Sequence, residues 1–185
     1  PAGEHGVVCF FNDITDRKQA DKTLANYNRT LENQVTERTE TLRESERRLS
    51  TLIANLPGYV YRVANYPDYQ PEFISEGVFL VTGYRQEEYL IDRTIACGQE
   101  IHPADRDSVW EIVQIAVAAE QPYECEYRII TKSGTQKWVW ERGRGIYAEN
   151  GELLFLEGFV TDISDRKQIE EKLQWSETRL DMIVT

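Results

Sequence analysis

Cysteine and histidine are the residues here best suited to bind a metal or act as a nucleophile, and their spacing rules out most such chemistry. Cys9, Cys97 and Cys125 stand far apart, with no C-x-x-C pair and no even-numbered framework. That pattern fits a reduced, cytoplasmic protein better than a disulfide scaffold. With only His5 and His102 to join them, no His/Cys metal cluster is expected. His102 stands just before Pro103, where a helix-start residue keeps its ring near the surface. There is no G-x-x-x-x-G-K phosphate loop and no G-x-S-x-G elbow. The helical flanks hold no histidine that could accept a phosphoryl group, so this stretch should have no kinase activity of its own. Trp110, Trp138 and Trp140 offer rings on which a ligand could stack. Trp138 and Trp140 share one strand face, although tryptophans on a sheet more often serve core or interface. Glu126 with Arg128, and Arg142 with Arg144, also share faces, which predicts cross-strand ion pairs. Cys97 and Cys125 read as packing residues, Cys125 pointing inward.

Charge narrows the classes of partner. The formal net charge is −11. Residues 13–50 carry eight acidic and eight basic side chains, whereas residues 51–163 carry eighteen and nine. So acidic a globular part repels phosphate backbones and anionic lipid, and neither nucleic acid nor direct membrane contact is expected. No run approaches the roughly 20 apolar residues of a membrane span.

The chain repeats itself. Asp13-Ile14-Thr15-Asp16-Arg17-Lys18-Gln19 returns as Asp162-Ile163-Ser164-Asp165-Arg166-Lys167-Gln168. Each copy follows an apolar strand-like run, Val7–Phe11 and Leu153–Val160, and precedes a helical stretch. Ser45-Glu46-Arg47-Arg48-Leu49 likewise anticipates Ser176-Glu177-Thr178-Arg179-Leu180. Such echoes mark a tandem array. The expected organisation is the end of a preceding unit over 1–15, a helix over 16–55, one whole unit over 56–163, and an exit helix over 164–185.

Residues 19–55 contain neither Gly nor Pro, and their apolar residues fit a heptad. Leu24, Leu31, Val35, Leu42, Leu49 and Leu52 form the seam, with Asn28 on it and Arg38 and Ser45 weakening its middle. A stripe about 42 Å long and this narrow is best buried against a second copy, in a parallel coiled coil. Leu56-Pro57-Gly58 breaks the helix. Strands are then predicted at Tyr59–Val63 and Glu72–Ser75, short helical pieces between Gly77 and Leu90, and a longer helix over 103–119. The apolar face of that helix is Val109, Ile112, Val113, Ala116 and Ala119. Three strands follow: Tyr123–Ile129, one around Trp138–Trp140, and Leu153–Val160 after an Asn150-Gly151 turn. This order implies an α+β fold, with helices gathered on one face of an antiparallel sheet.

That order resembles the PAS sensory domain. So do Ile101-His102-Pro103-Ala104-Asp105-Arg106, the Glu126-Tyr127-Arg128 strand, Ser133-Gly134 with Trp138 after it, Gly158, and the closing Asp162–Lys167 signature. Leu31–Thr39 resembles the helices that join sensory modules to histidine kinases and diguanylate cyclases. The resemblance implies a five-stranded antiparallel sheet cupped around a small pocket, in a dimer that moves its flanking helices. A multi-PAS bacterial signalling protein is implied, with neighbouring PAS units and an output domain in the same chain. A histidine kinase is the first expectation for that output and a diguanylate cyclase the second; a ligand-free dimerisation spacer is the remaining reading. A small organic ligand in the cup would lie near Tyr61, Ile112, Ala116, Tyr127 and Trp140. Haem is not expected, because His102 is badly placed for it. A covalent flavin is not expected either, because Ile95-Ala96-Cys97-Gly98-Gln99 lacks the asparagine-cysteine-arginine-phenylalanine run of light-sensing relatives. The ligand itself stays open. For the signal path the expected residues are Asp162, Ser164, Asp165 and Arg166. Ser164 is placed to cap a helix beginning at Asp165, and the acidic residue matching Asp162 ties strand to core in the resembling family.

Overall fold

The computed structural model describes the backbone of residues 15–184 and the side chains of 17–175. The strand expected at Val7–Phe11, Cys9, His5 and most of the first signature copy lie outside the described residues, as does the side-chain detail of Ser176–Leu180. The chain divides into two compact units, one ending at Leu49 and one beginning at Ser50.

The first unit is helical, the larger part of α1 (Thr15–Ala54). A run without Gly or Pro keeps the helix unbroken. The hydroxyls of Thr23, Thr30, Thr36, Thr39 and Thr41 each donate to the carbonyl four residues back, at 2.7–2.9 Å. Glu44 bridges Arg47 and Arg48 at 2.9–3.1 Å. All six seam residues stand in solvent, from Leu31 at 40% exposure to Leu52 at 65%.

The second unit is an antiparallel sheet with helices on one face. Its strands are β1 (Tyr59–Val63), β2 (Pro71–Ile74), β3 (Tyr123–Ile130), β4 (Gln136–Tyr147) and β5 (Leu153–Asp162). They lie in the order β2-β1-β5-β4-β3. Between β2 and β3 run α2 (Val78–Thr82), α3 (Gln86–Leu90), α4 (Cys97–Glu100) and α5 (Arg106–Ala118); α6 (Ser164–Val184) leaves the last strand. α2 stops at Gly83, whose φ of 82° suits the left-handed cap. α5 starts three residues later than the sequence suggests. Pro103, Ala104 and Asp105 form a turn instead, with the Asp105 N–H donating to the His102 carbonyl at 2.8 Å.

Alternation decides which face each strand buries. Tyr59, Tyr61 and Val63 of β1 face the helices, as do Tyr123, Cys125, Tyr127 and Ile129 of β3. Leu156 and Val160 of β5 join them, against Val109 and Val113 of α5. On β4 the inward residues are Val139, Glu141, Gly143 and Gly145, so Trp138 and Trp140 face outward.

One row across the sheet sets the shape of the core. Tyr61 pairs with Gly158, Gly158 with Gly143, and Gly143 with Tyr123. The two rings lie flat over the two glycines, and their hydroxyls meet in the middle at 2.7 Å. A Cβ on Gly143 would collide with the Tyr123 ring, and one on Gly158 with the Tyr61 ring. Both glycines are therefore required by space. Gly143→Ala or Gly158→Ala is expected to cost about 1–3 kcal/mol by overpacking. Urea unfolding of each variant checks this, and an unchanged midpoint would show that the row is looser than described.

Candidate functional site

Between the sheet and helices α4 and α5 lies a cavity of about 30 Å³, counted as space open to the centre of a water molecule. That is room for about two or three waters. Five tyrosines line it: Tyr59, Tyr61, Tyr69, Tyr123 and Tyr127. Two carboxyls, Glu100 and Glu141, share the space with them, at 3% and 7% exposure.

Glu141 is held by the sheet. One of its oxygens accepts from Tyr61, and the other accepts from Tyr127 at 2.6 Å. Burial raises its pKa, and the two tyrosine hydrogen bonds offset only part of that. Glu100 ends α4 and accepts from the Tyr89 hydroxyl, which also contacts the Thr82 hydroxyl at 3.1 Å. Burial pushes the Glu100 carboxyl up to about 8, against the hydrogen bonds from Tyr89 and Thr82. Burial thus shifts both carboxyls toward the protonated form. Cys97 lines the same space, and burial followed by the nearby Glu100 pushes its thiol up, away from nucleophilic thiolate.

Tyr69 differs from the other four. Its hydroxyl is buried without a hydrogen-bond partner, the one such side-chain atom among the described residues. Its backbone φ is 47°, rare for a bulky side chain. The turn is fastened by the Tyr69 N–H donating to the Tyr66 carbonyl at 2.8 Å, and by the Gly98 N–H donating to the Asp68 carbonyl at 2.9 Å. Tyr69 packs against Trp110 at 5.7 Å and also lines a surface groove with Gln99 and Arg106.

The residues expected around a ligand are only partly brought together. Tyr61 and Tyr127 line the cavity. Ala116 is buried farther along α5, and Ile112 is turned aside with 39% exposure. Trp140 stands on the opposite face of the sheet, donating its indole N–H to Glu124 at 2.9 Å. A one-residue shift of the inward set reverses every side chain on a strand, and the bulk of two tryptophans suggested the wrong set. Sequence reasoning also missed Glu100, Glu141 and Tyr69. The signal for Glu141 was Gly143 and Gly145 at the same parity, since glycine on a strand marks a face that something else approaches closely. Haem and flavin do not fit this space, which is far below the roughly 300 Å³ of ordinary cofactor pockets. His102 turns away into its own loop, its Nδ1 accepting from the Ala104 N–H at 3.2 Å.

The outer face carries the exit. Asp162 accepts from the Ser164 N–H at 2.9 Å and pairs with Lys137 at 2.9 Å. Asp162 is therefore the capping side chain of α6. Ser164, expected in that role, instead points its hydroxyl at β4, accepting from the Trp138 N–H at 3.0 Å. Partial burial alone would raise the Asp162 pKa; the hydrogen bonds from Ser164 and the charge of Lys137 outweigh it and hold the carboxyl below the usual range. Glu126 binds both Arg166 and Lys167, the latter at 2.6 Å, and their charges lower its pKa. Arg128 pairs with Asp105, at 2.8 Å through Nε, so neither residue of the expected cross-strand set pairs within the sheet. The cross-strand ion pairs that do form are Arg62 with Glu157 and Lys137 with Asp162. Asp165 is exposed, at the first turn of α6 where its charge complements the dipole.

Comparison with known proteins agrees with this geometry. A family model described as "PAS fold" matches residues 71–160. The methyl sulfide methyltransferase-associated sensor of Methanosarcina acetivorans is 30% identical over 129 residues, 69% of this chain and 13% of that protein. A blue-light-activated histidine kinase of Brucella ovis is 38% identical over 66 residues, 36% of this chain and 13% of its own length. The chain thus spans a small part of these relatives. A sensory box histidine kinase/response regulator structure from Burkholderia thailandensis superposes with a TM-score of 0.58 at 24% identity, covering 73% of this chain and 98% of that one. The globular unit is a PAS domain. Among the described residues no helix is long and apolar enough to cross a membrane.

The buried carboxyls give a pH signature. Folding raises both pKa values; for Glu100, between its ordinary 4.5 and about 8, the folded state keeps a proton that the unfolded state has released, and Glu141 acts in the same direction. Stability therefore falls as pH rises through that window, by up to about 1.4 kcal/mol per pH unit for Glu100. Glu100→Gln should flatten the dependence and unfold at higher urea than the parent chain at pH 8. Urea titrations at several pH values read this directly, and a parent chain equally stable across the window would contradict it.

Proposed function

We propose that this chain is a non-catalytic sensory and relay module of a multidomain signal-transduction protein, with its output most naturally a histidine kinase. In this reading residues 1–15 end a preceding PAS unit, 16–55 form a signalling helix, 56–163 form the sensor, and 164–185 lead to the next unit. One observation carries the relay. Strand β4 holds Glu141 inside the cavity and, three residues earlier on its other face, holds the start of α6. The Ile163 N–H donates to the Trp138 carbonyl at 2.8 Å, and the Ser164 hydroxyl takes the Trp138 N–H. A change at Glu141 that shifts β4 moves the root of the exit helix with it. Asp162, Arg166 and Lys167 are the remaining fastenings, to Lys137 and Glu126.

The uncovered stripe of α1 supports a parallel homodimer. Six apolar side chains at heptad spacing, all exposed, gain most by facing the same stripe on a second copy. The kinase assignment rests on the histidine kinase relative and on the resemblance of Leu31–Thr39 to signalling helices.

Light scattering should find the parent chain dimeric and Leu42→Lys/Leu49→Lys monomeric with its sheet intact. A parent chain that stays monomeric in concentrated solution removes the dimer. In the full-length protein, Asp162→Ala should uncouple output from signal while the domain stays folded by circular dichroism. A normal signal response in that variant removes the relay role.

A further inference from the structure

We propose that the tyrosine-lined cavity binds a small organic cation, an alkylammonium of a few non-hydrogen atoms, with its N–H groups directed to Glu100 or Glu141 and to the Tyr69 hydroxyl. The inference deepens the reading of this domain as a sensor by naming the class of molecule sensed.

Three observations point the same way. First, beyond the phenols and the Cys97 thiol, the ionisable groups lining the cavity are two carboxyls; no lysine, arginine or histidine is among its lining residues. An anionic ligand would find no counter-charge in that lining. Second, five tyrosine rings surround the space, and aromatic rings beside carboxyls form a favourable enclosure for an ammonium group. Third, Tyr69 lines the cavity, and its hydroxyl is buried, unpartnered and within electrostatic reach of Glu141. A hydroxyl left unsatisfied costs free energy that a ligand N–H would recover.

The surroundings of each carboxyl set the chemistry of binding. Glu141 faces Tyr61, Tyr127 and, less directly, Tyr59, Tyr69, Tyr123, Cys97 and Cys125. Glu100 faces Tyr89, Thr82, Tyr59 and Cys97. No cation lies among these neighbours to hold either carboxyl ionised. An arriving ammonium supplies that charge. One carboxylic acid then gives its proton to solvent and becomes the carboxylate partner of the bound cation, so one proton leaves as one cation enters. A neutral alcohol of the same size brings no such compensation. The cavity sets the size: room for two or three waters admits methylammonium or ethylammonium without rearrangement. So few atoms limit the affinity to a Kd no tighter than about 0.5 mM.

The test titrates the 185-residue chain with methylammonium chloride and ethylammonium chloride to about 50 mM, well above that limit. Sodium chloride at equal ionic strength, methanol and ethanol are the controls. The ammonium salts should raise Tm above the sodium chloride control, and the alcohols should not. Calorimetry in two buffers of different ionisation heat should show release of up to about one proton at pH 7, with affinity rising up to about tenfold per unit from pH 6 to 8. Glu141→Gln or Glu100→Gln should weaken binding by about tenfold or more and abolish the proton release. Tyr69→Phe, which removes only the unpartnered oxygen, should keep the fold and weaken binding by about fivefold. Equal stabilisation by alcohols, no effect beyond sodium chloride, or unchanged affinity in both glutamine variants and in Tyr69→Phe would overturn the proposal. Dimerisation and the Asp162→Ala response are measured separately, so loss of the cation leaves the relay reading standing or falling by its own data.

Discussion

The contact between Tyr61 and Tyr123 over two glycines is the constraint on which this domain turns. Strands β1 and β3 are not neighbours; β5 and β4 lie between them. Their tyrosines can meet only because Gly158 and Gly143 present bare backbone at the two intervening positions. The hydroxyl pair then delivers one phenol to Glu141, and Tyr127 delivers another. Remove the glycines and the rings must rise into the cavity, where there is room for little more than water. The floor of the pocket and the position of its carboxyl follow from a single row.

The two faces of the sheet do different work with the same chemistry. Inside, acidic groups are starved of counter-charge, and burial pushes their pKa values up. Outside, the acidic groups Asp105, Glu126 and Asp162 are all paired with Arg or Lys and stay ionised. Exposed pairs of this kind contribute little to stability singly, with a median near 0–1 kcal/mol. Their value here is positional: three basic side chains on β4 and the first turn of α6 grip two acidic ones, so the helix leaves the sheet in a fixed direction.

Much of this was legible in the sequence. Element order, the antiparallel sheet, the long helix and the inward set of β3 followed from periodicity and turn chemistry, because each rests on local alternation or on Gly and Pro. The face of β4 did not. Trp138 and Trp140 outweigh Val139 and Glu141 in any hydrophobic count, and only the glycines two and four residues on mark the true inner face. Glu100 was equally hidden, since a carboxylate beside Ile101 reads as a surface charge until α4 tucks it under Tyr89. Nor could sequence place Tyr69, whose left-handed backbone belongs to a loop tied across to Gly98. Ser164 and Asp162 exchanged their expected parts because the strand end lies close enough to β4 for the serine to reach Trp138, leaving the cap to the aspartate.

Strand β1 begins and strand β5 ends at the same end of the sheet: Tyr59 is paired with Val160, and the Thr161 hydroxyl donates to the Pro57 carbonyl. The backbone therefore arrives and departs through two adjacent strands, side by side. A gene segment encoding such a unit can be copied and spliced into a helical stalk while disturbing little on either side of the join. The doubled Asp-Ile-Thr/Ser-Asp-Arg-Lys-Gln signature in this chain is the trace such copying would leave, and lengthening by whole units becomes the path of least resistance for its evolution.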